Sequence, residues 1–118
     1  MATAPRFDIT ATQGSAIYLQ FTLKTRDSAG NDTIMDLTNK SLAGQVRSAY
    51  TSETAYDFDL TIADELLGQI VVYMGGDVTA TMPGGPLVYD IELTDNTDPA
   101  DIIKPLWGNL FMKQEVTR

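Results

Sequence analysis

The chain has 118 residues, 43% of them hydrophobic and 20% charged, which specifies one globular domain with a single core and excludes both intrinsic disorder and two independent domains. It contains neither histidine nor cysteine, so the common neutral-pH proton carrier, the thiolate nucleophile, the usual zinc ligands and disulfide bonds are all missing, which argues against an enzyme. Eight basic against sixteen acidic side chains give a net charge of −8, which repels phosphate backbones and excludes nucleic acid as a partner; no apolar run is long enough to span a membrane or follows a basic leader.

Met1–Arg6 carries no periodicity and reads as an N-terminal arm ahead of one domain over residues 7–118. From Ala16 to Lys24, Ile17, Leu19, Phe21 and Leu23 alternate with Tyr18, Gln20, Thr22 and Lys24, the pattern of a strand with one buried face. The polar cluster Asp27–Asp32 offers Gly30 or Asn31 for the positive φ of a hairpin turn, and a second strand is expected over Ile34–Leu37. Short strands follow at Leu42–Arg47, at Ala55–Leu60 and at Gln69–Met74.

Gly75 and Gly76 end that run, Asp77 is placed to cap one helical turn through Met82, and Pro83–Pro86 breaks it. In Leu87–Thr94 the residues Leu87, Tyr89, Ile91 and Leu93 share one face, as in a central strand. Asp95–Asp101 reads as a polar loop, and Ile103–Val116 as one long strand bent or bulged near Gly108, or two short ones, paired with the Leu87 strand as a hairpin. Seven to eight short strands at these spacings predict an all-β, two-sheet antiparallel sandwich.

Little in the chain points to chemistry. The pairs Asp57/Asp59 and Asp90/Glu92 have i,i+2 spacing and so share a strand face, but they alternate with large apolar residues as on the wet side of a half-buried sheet. The serines have neither a histidine partner nor a lysine at Ser-x-x-Lys spacing, and the glycines fit no phosphate-binding loop. Asp95, Asn96, Asp98 and Asp101 could offer oxygen ligands to calcium, yet the EF-hand spacing is absent and turn chemistry accounts for them. No catalytic residue, cofactor or metal site is expected.

Two features suit binding. Residues 51–118 hold twelve acidic and three basic groups, against four and five in residues 1–50, an asymmetry that serves solubility or complementarity to a basic partner. Trp107, Leu110, Phe111 and Met112 crowd the C-terminal strand, so both of its faces require cover, from within the domain or from a partner. Trp107, Phe111 and Met112 are the candidate packing anchors, and Arg6 and Phe7 the candidate arm contacts.

The segment Val88-Tyr89-Asp90-Ile91-Glu92-Leu93-Thr94, followed after a loop by a strand ending Gln114-Glu115-Val116-Thr117-Arg118, resembles small β-sandwich proteins of tailed bacteriophages. Phe7-Asp8-Ile9-Thr10, Gln13-Gly14 before the Ile17 strand, and Asp36-Leu37-Thr38 leading to Gln45-Val46-Arg47 extend the resemblance over most of the chain. It implies a virion building block without catalytic residues, assembled in the host cytoplasm, whose partners are the major capsid protein or tail and fibre proteins.

Because the sequence stops at Arg118, directly after its last strand, a free-standing capsid decoration or cement protein is expected, as a symmetric homo-oligomer. A tail, baseplate or fibre-connector component is the alternative. A further alternative is a sandwich that grips carbohydrate through Trp107 or through Tyr18, Tyr50, Tyr56, Tyr73 and Tyr89.

Overall fold

The computed structural model describes residues 6–26, 29–49 and 53–114. Met1–Pro5 of the expected arm, Tyr50, and the Glu115–Arg118 end of the last expected strand lie outside the described residues. The described chain forms β1 (Ile9–Thr12), β2 (Ile17–Thr22), β3 (Lys24–Arg26), β4 (Asp32–Ile34) and β5 (Lys40–Arg47). After these come β6 (Ala55–Asp57), β7 (Asp59–Asp64), β8 (Gln69–Met74), the single helical turn α1 (Gly76–Thr79), β9 (Gly85–Asp95) and β10 (Asp98–Lys113).

A five-stranded sheet in the order β1-β10-β9-β5-β6 faces a three-stranded sheet in the order β2-β8-β7, and β3 and β4 form a separate small hairpin. The architecture is therefore all-β and sandwich-like, as alternation alone predicts. Leu87, Tyr89, Ile91 and Leu93 of β9, with Leu106, Leu110 and Met112 of β10, form one wall of the core. Ile17 of β2 and Ile70, Val72 and Met74 of β8 form the other. Period-two burial makes each sheet a one-sided apolar surface, and pressing two such surfaces together removes both from water.

Two expected strands are each cut once, and β1, not expected as a strand, adds another, which together bring the described strands to ten. The Ala16–Lys24 run breaks at buried Leu23, whose N–H bonds the Gly68 carbonyl at 2.8 Å and whose carbonyl accepts from Met35 N–H at 3.0 Å. The Ala55–Leu60 run breaks at buried Phe58, whose N–H bonds the Gly44 carbonyl at 3.0 Å, so β6 pairs in one sheet and β7 in the other. Alternation continues through both breaks because the chain changes sheets while keeping the same side toward the core. Asp57 and Asp59 thus belong to different sheets and form no pair on one strand face.

Other expectations shift. The Ile34–Leu37 strand is instead β4, ending at Ile34; Met35 and Leu37 are buried as loop residues that plug the end of the sandwich. Gly30 has φ 86°, as a turn there requires. Gly75 rather than Asp77 is the N-cap of α1, Asp77 lies in its first turn, and no side chain caps it. Buried Thr79 anchors that turn: its hydroxyl donates to the Ser15 carbonyl at 2.9 Å and accepts from Gly14 N–H at 3.0 Å.

The Asp95–Asp101 loop contracts to a two-residue turn. Asp95 Oδ1 accepts from Thr97 N–H at 2.9 Å and from the Thr97 hydroxyl at 2.7 Å, an Asx-type closure that lets β10 begin at Asp98. β9 and β10 form the expected hairpin, but its irregularities fall between Asp98 and Ile102 and between Ile103 and Leu106, not at Gly108. One pairing is parallel rather than antiparallel: β1 runs beside β10, with Ile9 opposite Leu110 and Ala11 opposite Met112.

Candidate interaction surface

The N-terminal strand creates the best-defined constellation. Arg6 bridges Trp107 in a parallel register, Phe7 N–H donates to the Trp107 carbonyl at 2.9 Å, and the Arg6 guanidinium lies 5.5 Å from the centre of the Trp107 ring. Phe7 turns its ring edge-on to Phe21 of the opposite sheet, at 5.1 Å between centroids. Asp8 receives the Asn109 N–H at 3.0 Å and Arg6 Nε at 3.1 Å; the Asn109 amide first and Arg6 second hold its carboxyl below the ordinary aspartate range.

Behind this corner the buried Tyr89 hydroxyl donates to the Phe7 carbonyl. Desolvation, aided by the charge of Asp8, pushes its phenol well above the usual tyrosine range. Gly108 faces the same carbonyl, and a Cβ placed there would stand 2.3 Å from Phe7 O. A glycine is thus required where the segment leading into β1 passes against β10. Asp8 and Gly108 were not among the expected site residues, and Tyr89 was considered only as a sugar contact; the apolar alternation around Tyr89 conceals its hydroxyl's partner, which lies 82 positions away in sequence.

The expected anchors separate. Trp107 is half-buried beneath Arg6, and Phe111, which follows Leu110 in the alternation, is 49% exposed. Met112 is 1% exposed and belongs to this chain's own core, so it holds β10 from within and presents nothing to a partner. Arg6, Phe7 and Trp107 form one contact group.

Phe111 stands opposite Pro86 and Thr10, and all three are exposed on the outer face of the five-stranded sheet. Beside them the face is polar and concave. Trp107, Asp90, Gln45 and Asp57 stand opposite one another across four successive strands.

Gln45 Nε2 donates to Asp57 at 2.8 Å, and Lys104 Nζ donates to Asp90 at 2.7 Å and to Glu92 at 3.0 Å. Asp90, then Glu92, raises the Lys104 ammonium above the ordinary lysine range. Gln45, Asp90, Glu92 and Lys104, with Arg47 and Val88, line an open groove of about 280 Å³. Asp90 and Glu92 share one face, as their spacing predicts, and share one lysine there: a solvated charge ladder rather than an acid and a base in different environments.

The aromatic candidates for sugar binding are dispersed. Tyr89 is buried, Tyr56 packs against the core, and Tyr18 and Tyr73 stand opposite each other, exposed, on the three-stranded sheet. At the hairpin tip Asp95 is engaged by Thr97 and by Lys40 at 3.0 Å, and among the described residues no three acidic side chains converge on a metal position. No described helix is long and apolar enough to cross a membrane. The chain matches no model of a known protein family, and no curated protein matches it.

Proposed function

We propose that this protein is a non-catalytic structural component of a tailed-phage virion, acting as a decoration or cement protein on the outer capsid shell. The observation that carries the reading is the outer face of the five-stranded sheet. Phe111, Pro86 and Thr10 lie exposed there beside the Arg6–Trp107 contact and the charge ladder of Asp90, Glu92 and Lys104. An aromatic anchor bordered by satisfied polar pairs has the composition of a protein-binding surface.

The resemblance of Val88–Thr94 and Phe7–Thr10 to phage sandwich proteins supplies the setting, since these segments form the strands that frame this face. A chain without histidine or cysteine acts by being bound: joint burial of its surface with neighbouring shell subunits raises their stability by mass action.

The test is a particle from which this protein has been removed. Heads that rupture at lower temperature while tails assemble normally support the cement role, and re-addition of the parent chain restores them while Phe111→Glu does not. Intact heads on particles lacking fibres, or label appearing on the tail, would replace the shell with the tail or baseplate as its position.

A further inference from the structure

The end of the sandwich where the β4–β5 loop and the β7–β8 and β9–β10 turns meet carries a second surface, and we infer that it docks a basic segment of a partner protein. Direct contacts join these turns. Leu23 N–H bonds the Gly68 carbonyl at 2.8 Å, Leu37 N–H bonds the Glu65 carbonyl at 2.8 Å, and Asn96 N–H bonds the Asn39 carbonyl at 3.0 Å. Met35 and Ile103 line one pocket of about 210 Å³ beneath the hairpin tip.

Four aliphatic side chains stand out of this end, Ile34, Leu66, Leu67 and Ile103, between 42% and 72% exposed, whereas Ile102, opposite Thr94, lies on the outer sheet face with Phe111. Asp64 holds the leucines outward, accepting from Leu66 N–H at 3.1 Å and Leu67 N–H at 3.2 Å. Gly68, at φ +65°, brings the turn against Ile34 Cγ2. Apolar groups held in water by a fixed turn are a cost to the free domain that docking would relieve.

Charge selects the occupant. Asp36, Glu65, Asp98 and Asp101 are exposed around these aliphatics and outnumber exposed Lys24, which stands opposite Ile34, while Lys40 is already engaged by Asp95. A second copy would bring the same carboxylates against themselves, whereas arginines or lysines alternating with apolar residues complement both the rim and the patch. This surface is separate from the sheet face containing Phe111 and does not depend on the virion reading.

The experiment titrates the 15N-labelled full chain with a synthetic twelve-residue peptide, Leu-Arg-Ala-Arg repeated three times, and with its glutamate-for-arginine counterpart. Amide shifts confined to residues 34–36, 64–68 and 95–104, seen with the basic peptide alone, are expected. Leu66→Glu combined with Ile34→Glu should weaken binding at least about tenfold with the spectrum still folded, while Tyr18→Glu towards the other end of the three-stranded sheet leaves it unchanged. Shifts spread over the whole acidic surface, a double variant that binds like the parent, or a concentration-dependent dimer that shifts the same amides without peptide would overturn the inference.

Discussion

From Leu106 to Met112, β10 pairs residue for residue with β9 and is flanked on its other side by Arg6 and β1, whereas from Asp98 to Ile103 the same hairpin is bulged and exposed. Leu110 and Met112 are at 0% and 1% exposure in the first half, and Ile102 and Ile103 at 49% and 42% in the second. Residue type is not the difference, since both halves are rich in large aliphatics. What differs is cover: the first half lies between neighbouring strands and over the opposite sheet, and the second extends past β1. A hydrophobic strand becomes core only where the fold supplies a second layer.

The largest effect that would break this contrast is a truncation in each half. Leu110→Ala should lower unfolding free energy by about 3 kcal/mol in urea titration, the range for a fully buried leucine, while Ile102→Ala should stay within about 0.5 kcal/mol. Equal effects would mean that the two halves are covered alike. Gly108→Ala comes next: its Cβ would meet the Phe7 carbonyl at 2.3 Å, so β1 must shift, with an expected loss of about 2 kcal/mol and a changed Trp107 fluorescence.

Tyr89→Phe sharpens the contrast further, because it removes only the hydroxyl that ties the covered half to Phe7. The expected loss is about 1 kcal/mol near neutral pH. A phenol whose folded pKa lies above its unfolded value of 10.0 contributes stability below that value and loses it as pH rises, so the parent should lose stability above about pH 10 and the variant less.

The smallest effect belongs to the projecting half. Thr97 first and Lys40 after it hold the Asp95 carboxyl at about 2, below its ordinary 3.8. A depressed carboxyl favours the folded state above its unfolded pKa, and that contribution disappears as pH falls from about 5 towards 2. Asp95→Asn should therefore lower the melting temperature slightly at pH 7 and flatten the acid limb of its profile, so that variant and parent converge towards pH 2. An identical acid limb would show that the turn closure does not hold the hairpin tip.

The strands were readable where alternation was long. Ile17–Thr22, Gln69–Met74 and the β9 run appear within two residues of their expected bounds. The breaks at Leu23 and Phe58 were not readable, because crossing between sheets preserves the period-two pattern. The candidate surface was legible only in part. Trp107 and Phe111 were visible as surplus apolar residues, but nothing local marks Phe111 as exposed and Met112 as buried, since a one-residue difference in facing is set by the neighbouring sheet.

Alternation and the turn residues determined by themselves that this chain is all-β with one core, because period-two burial and positive-φ turns are local properties of the backbone. Its composition determined that no histidine or thiol chemistry is available. The tertiary structure alone decided that β1 lies parallel to β10, that Tyr89 reaches Phe7, and that Ile102 and Ile103 project into water while Leu110 does not. These depend on contacts across 80 or more positions or on the absence of a covering layer among the described residues, and neither is encoded in any short window of sequence.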